Sequence, residues 1–169
     1  MTIRTETTED MVAIRNVNER AFGRPAEADL VDALRRNGKV TLSLVAEDDG
    51  RIVGHILFSP VTIEAGDDHL AGVGLAPMAV LPELQNRGIG SLLVKRGLDH
   101  CREARHQFAV VLGHPEYYPR FGFVPASRFG VKCEYDVADE VFMAIELQEG
   151  ALENCAGVVK YQVEFNEVD

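Results

Sequence analysis

Residues 108–113, FAVVLG, form a short and almost wholly apolar run. A strand of that composition is usually buried on both faces, which is the habit of parallel sheets. It follows a segment with helical spacing, Gln85 to Arg105, and that segment follows a strand-like run, His69 to Val80. Strand, helix and strand in this order make a βαβ unit, right-handed in the great majority of cases. The chain must therefore accommodate a parallel pair joined by a helix.

The rest of the pattern is mixed. IRTET (3–7) reads as an opening strand, and Thr8, Glu9 and Asp10 as a helix start with acids in its first turn. Met11, Ile14, Val17 and Phe22 continue that helix until Gly23, and a second helix runs from Ala28 to Arg36, stopped by Asn37-Gly38. The period then changes. Thr41 to Glu47 is a strand, Asp48-Asp49-Gly50 a hairpin turn, and Arg51 to Glu64 a long second strand bent near Ser59-Pro60. Asp67-Asp68 turns the chain into His69–Val80. Within 85–105, Ile89, Leu93, Gly97, Cys101 and Ala104, joined by Leu92, share one helix face. Pro115 to Arg120 suits one short helix, and Val141 to Leu147 and Val158 to Phe165 suit two strands. The expected fold is α/β of the α+β type: a mixed, mostly antiparallel central sheet with a splayed parallel pair and flanking helices. Residues 1–147 form the domain, and 148–169 an extension packing on it.

A chain of 169 residues can bury a core without metal or disulfide staples. Its three cysteines, Cys101, Cys133 and Cys155, are far apart and include no CxxC pair, which argues against a disulfide framework or a zinc site. A reducing cytoplasm is the expected compartment. The polar N-terminus MTIRTETTED is no signal peptide, and LAGVGLAPMAVL (70–81) is too short and too rich in Gly and Pro to span a bilayer. The net charge is −10, and residues 134–169 hold ten acids against one base, Lys160. That balance disfavours nucleic acid as a partner. Residues 86–106 are locally basic, with five arginines and lysines against two acids. An anionic ligand would suit that segment, although a solvated helix face explains the charge as well.

Two glycines, Gly88 and Gly90, stand where the third helix begins, in QNRGIG. Each costs a helix about 1 kcal/mol relative to alanine. A helix start offers unpaired N–H groups and a partial positive charge, and glycines there let a phosphate approach the backbone. No GxxxxGK[ST] is present, and GIGSLL lacks the third glycine of a dinucleotide fingerprint. Pro77, inside the strand LAPMAV, cannot donate to a sheet ladder and implies a bulge or splay. Backbone groups at Met78 to Val80 would then be open to an extended ligand bearing amides.

QNRGIG resembles the Q/R-x-x-G-x-G/A motif of the GNAT superfamily of CoA-dependent N-acyltransferases. YYPRFGF (117–123) resembles that family's Y-x-x-x-G-F element. AEADLVDALR, LVAEDDGRIVGHILFSPV, LAPMAVLPELQNRGIG and LGHPEYYPRFGFVPA are together similar to its YhbS-like branch, and the likeness covers roughly residues 2–147. The resemblance implies an N-acetyltransferase with acetyl-CoA as co-substrate and no metal. Met78, Ala79 and Val80 would bind the acyl-pantetheine arm through backbone groups. Asn86, Arg87, Gly88, Ile89, Gly90 and Ser91 would surround the pyrophosphate.

The resemblance assigns Tyr118 the protonation of the leaving thiolate, with a satisfied core tyrosine or adjacent Tyr117 as alternatives. His114, just after 108–113, is the candidate base, against a histidine that merely ends a strand. Glu83 is expected to face solvent. Cys101 reads as core, and neither it nor Cys133 has an activating neighbour in sequence. His55, inside a strand, reads as structural. The acceptor is a small-molecule or peptide amine, which the acidic C-terminal region would attract if cationic, although a solvated surface accounts for those acids as well. No membrane partner is implied, and a homodimer is a family-level expectation only. The alternative function is a catalytically silent acyl-CoA sensor or partner-binding module on the same scaffold.

Overall fold

The computed structural model describes residues 1–168. Among these, nine strands and three α-helices follow in the order β1 (Thr2–Thr5), α1 (Met11–Phe22), α2 (Ala26–Arg36), β2 (Leu42–Asp48), β3 (Arg51–Ala65), β4 (Asp68–Val80), α3 (Ile89–Glu103), β5 (Phe108–Leu112), β6 (Val124–Pro125), β7 (Val131–Cys133), β8 (Phe142–Glu146) and β9 (Gly157–Lys160). Hydrogen bonding runs β1-β2-β3-β4-β5-β8-β6, with β9 on β3 and β7 on β9. The βαβ unit is present, with β4 and β5 parallel. A second parallel pair, β7 with β9, has no counterpart in the sequence reading. Pairs β1–β2, β2–β3, β3–β9, β5–β8 and β6–β8 are antiparallel.

The chain forms two compact units, and β3, β4 and α3 each pass from one into the other. The first unit holds residues 1–59, 76–97 and the chain from Val163 onward. Its helices begin and end for local reasons. The Asp10 carboxylate accepts the Thr7 N–H at 2.7 Å just before α1, and the Arg4 guanidinium beside it holds that acid at about 2. Gly23 closes α1 with φ +69° and donates to the Glu19 carbonyl. Asp49 and Gly50, both with positive φ, make the tight β2–β3 turn that a hairpin's twist requires. Ile14, Val17, Leu34, Leu44, Ile56 and Phe58 are fully buried. The last described residues fold into a short 3-10 helix, Val163–Glu167. There Glu164 accepts from Lys39 Nζ at 2.9 Å and Asn37 Nδ2 at 2.7 Å.

The second unit holds residues 60–75 and 98–162. Val61, Ile63, Phe108, Val110, Phe142 and Val159 belong to its core cluster. Four of the five β5 residues are buried, as the apolar run requires. Gly72 lies under the Phe108 ring, where a Cβ would come within 2.7 Å of Phe108 Cδ1.

Several elements differ from the sequence reading. The strand expected over Val158–Phe165 stops at Lys160, because the Tyr161 N–H donates to Glu134 Oε1 at 2.8 Å instead of continuing a ladder. The short helix expected over Pro115–Arg120 is a 3-10 turn at Tyr118–Phe121. On α3, Leu92 is 42% exposed, and Ala104 lies beyond the helix and is exposed. Among the described residues, no helix is long and apolar enough to cross a membrane.

Candidate active site

The parallel ladder of β4 and β5 is short. It pairs Val73 with Ala109, Gly74 with Val110 and Leu75 with Val111, and ends there. The next peptide, Ala76–Pro77, is cis, and Pro77 has no N–H to offer. β4 nevertheless continues to Val80, so Met78, Ala79 and Val80 form strand without β5 as a neighbour. The ladder thus ends just before Pro77, the residue expected to interrupt it. Ala79 and Val80 are buried, and Met78 is half-buried.

Beyond β4 the chain makes a 3-10 turn at Pro82–Leu84, and α3 starts at Ile89. The sequence pattern placed this start at Gln85. The four intervening residues form a loop instead, in which Asn86 has φ +63° and Gly88 φ +86°. A left-handed backbone is cheap for glycine and tolerable for asparagine. The Gly88 carbonyl accepts the Leu92 N–H at 3.1 Å, the first turn of α3. Gly88 is therefore outside the helix, and only Gly90 sits in its first turn. No atom lies within 4 Å of where a Gly88 Cβ would stand. Glycine at 88 thus serves backbone conformation and leaves open space. The amides of Gly88, Ile89 and Gly90 occupy the place where an α-helix leaves N–H groups without intrahelical acceptors. Asn86 and Arg87 are exposed, Ile89 is buried and Ser91 is half-buried.

Two glycines seat α3 on the sheet. A Cβ on Gly54 would meet Leu93 Cδ1 at 3.0 Å and Ile89 Cγ2 at 3.2 Å, and one on Gly97 would meet Phe58 Cζ at 2.7 Å. Glu83 is exposed, as expected, yet engaged. It accepts from both terminal nitrogens of Arg20, at 3.1 and 2.8 Å, and from Arg51 at 3.1 Å. Its own backbone N–H and these guanidiniums lower its pKa, so it stays an ion-paired carboxylate, poorly suited to take a proton.

Tyr118 belongs to the second unit and is 7% exposed. The N–H groups of Tyr117 and Tyr118 both donate to the His114 carbonyl, which anchors the 3-10 turn. The Tyr118 ring meets Tyr117 and Phe123 edge-on, at centroid distances of 5.1 and 5.8 Å. Gly113 provides its room, since a Cβ there would lie 2.7 Å from Tyr118 Cδ2. Burial, and then the neighbouring Tyr117, push the Tyr118 phenol up to about 12, so it is protonated at neutral pH. The His114 side chain is exposed. Gly122 ends the turn with φ +103°.

The remaining candidates have structural surroundings. His55 is fully buried, with Nδ1 3.1 Å from Asn18 Nδ2 and Nε2 2.9 Å from Ser43 Oγ. The amide nitrogen can only donate, so Nδ1 accepts and Nε2 carries the proton. Burial lowers this imidazole to about 3, with the Arg35 charge adding to the effect, and it is neutral. Burial pushes the Cys101 thiol up to about 12 and also raises Cys133. Neither is an activated nucleophile. No group of three or more His, Cys, Asp or Glu residues suited to a metal occurs among the described residues. Sequence reasoning missed the Gly113 seat and the left-handed Asn86, since both follow from neighbours distant in sequence or from loop shape.

The fold sets a βαβ unit, with a glycine-bearing loop at the start of its helix, in a mostly antiparallel sheet. The family model for the GNAT acetyltransferase domain matches residues 2–126. The chain is 38% identical over 167 residues to the uncharacterized N-acetyltransferase YhbS of Escherichia coli K12, covering 98% of this chain and 99% of that one. It is 42% identical over 134 residues to the uncharacterized N-acetyltransferase YjhQ of the same organism, covering 78% and 74%. The crystal structure of E. coli YhbS in complex with CoA superposes with a TM-score of 0.94 at 37% identity, covering 99% of this chain and 93% of that one. A GNAT acetyltransferase from Brucella melitensis in complex with acetyl-CoA gives 0.79 at 37% identity, covering 97% of each. The chain belongs to the GNAT acetyltransferase family.

Proposed function

We propose that the protein binds acetyl-CoA and transfers the acetyl group directly to a primary amine of a small molecule or peptide. The observation that carries this reading is the end of the β4–β5 ladder at Leu75, with β4 running on to Val80 and into the Asn86–Ser91 loop. The relatives solved with CoA and with acetyl-CoA support it. In this reading the backbone of Met78, Ala79 and Val80 receives the pantetheine arm. Asn86, Arg87, Gly88, Ile89, Gly90 and Ser91 receive the diphosphate. The amine nitrogen attacks the thioester carbonyl, the C–N bond forms and the C–S bond breaks. Tyr118 donates to the sulfur as negative charge develops on it, and His114 takes the proton that the amine loses. Three free thiols support a reducing, cytoplasmic setting.

One observation favours a second reading, a CoA-binding sensor without turnover. Glu83 is committed to Arg20 and Arg51, which leaves His114 alone as the proposed base. Thiol release from acetyl-CoA, measured across a panel of primary amines, decides between them. The transferase reading expects amine-dependent thiol release with an acetylated amine as product. Saturable CoA binding with no product from any amine would establish the sensor.

A further inference from the structure

We propose that Gln85 is a positioning residue that fixes the spacing between the strand and the loop of the coenzyme site. The inference rests on the coenzyme reading above. The peptide joining Val80 to Leu81 is tied at both ends. Its carbonyl accepts from Gln85 Nε2 at 3.0 Å, and its N–H donates to the Val53 carbonyl at 3.0 Å. This peptide is the last of β4 before the chain turns towards α3. The 3-10 turn adds two bonds across it, Leu84 N–H to the Leu81 carbonyl at 2.9 Å and Gln85 N–H to the Pro82 carbonyl at 3.4 Å.

Gln85 is exposed, so its side chain could satisfy its amide in water. Instead the amide reaches back to a buried residue five positions earlier, at the cost of its rotamer freedom. Immediately after it come the left-handed residues Asn86 and Gly88. The side chain therefore closes a ring between the end of the splayed strand and the start of the anion-binding loop. It also engages one of the two lone pairs of the Val80 carbonyl oxygen. A ligand that joins an extended diamide arm to a diphosphate binds more tightly than its halves only while its two subsites stay at the matching distance.

The test is competition calorimetry with CoA and its two halves, pantetheine and adenosine 3′-phosphate 5′-diphosphate. Gln85→Leu keeps the bulk and removes the donor, Gln85→Glu removes the donor and adds charge, and Gln85→Asn shortens the reach. In Gln85→Leu and Gln85→Asn, CoA affinity should fall roughly ten- to hundredfold while each half changes less than about threefold. The KM for acetyl-CoA should rise with kcat at saturation nearly unchanged. Should Gln85→Leu fail to fold, Gln85→Asn carries the same comparison at this exposed position, whereas Gln85→Glu should in addition weaken the diphosphate half by charge repulsion. Unchanged CoA affinity, or halves weakened as much as the whole, overturns the positioning role. A wild-type protein that binds neither CoA nor its halves overturns the coenzyme reading itself, and this inference with it.

Discussion

Gly97 of α3 lies against the ring of Phe58 on β3, and a Cβ at 97 would stand 2.7 Å from Phe58 Cζ. Phe58 is fully buried, so its ring has little freedom to retreat. Alanine at 97 would gain about 1 kcal/mol in helix propensity. Overpacking in a close-packed core costs about 1–3 kcal/mol. The second effect should win. Gly97→Ala is expected to lower the melting temperature by several degrees, whereas propensity alone would raise it.

At Gly88 the balance is different. A Cβ there meets nothing within 4 Å, but the backbone has φ +86°. Forcing a residue with a Cβ into that region costs about 1–2 kcal/mol, and the methyl enters the space proposed for the diphosphate. Gly88→Ala should keep the fold and weaken CoA binding by roughly tenfold or more. Calorimetry showing full affinity in this variant would remove the proposed anion site.

His55 gives stability a defined pH dependence. Its folded pKa, about 3, lies below the ordinary value of 6.5 because the ring is buried. The unfolded chain binds the proton first, so stability declines as pH falls from 6.5 towards 3. The slope from this group is at most about 1.4 kcal/mol per pH unit. Asp10 adds to the loss only lower, as pH falls below its unfolded value of 3.8 towards about 2. His55→Gln keeps polar atoms beside Asn18 and Ser43 without the titration. Urea midpoints at pH 7 and pH 5 should differ less for that variant than for the wild type.

Tyr118 and Gly113 are expected to act together. Tyr118→Phe should reduce kcat by roughly a hundredfold and leave CoA affinity intact. Gly113→Ala displaces the same ring and should also reduce kcat, yet add little to Tyr118→Phe in the double variant. Full turnover in Tyr118→Phe would release the phenol from its role. Additive losses would mean that Gly113 acts by another route.

What could be read from the sequence was what local pattern and backbone chemistry determine. FAVVLG announced the parallel pair, Gly23, Asn37-Gly38 and Asp49-Gly50 marked real ends and turns, and Pro77 pointed to the opened ladder. The misses have non-local causes. β6 and β7 have two and three residues, too few for a period to show. The apolar alternation after Val158 resembles strand, but Glu134 claims the Tyr161 N–H. The helix pattern extends back through QNRG, whereas the left-handed Asn86 and Gly88 delay the helix to Ile89. The QNRGIG motif is contiguous and so was visible as letters. The ties that shape it, from Gln85 to Val80 and from Leu81 to Val53, depend on the folded path.

The first unit draws on the beginning, the middle and the end of the chain, and its terminal stretch is fastened through Glu164 to Lys39 and Asn37. A ribosome delivers residues in order, and that unit lacks this closing piece until Val163–Glu167 has emerged. Its completion therefore waits on the release of that segment, and nascent chains stalled short of Val163 would present α2 without its clasp.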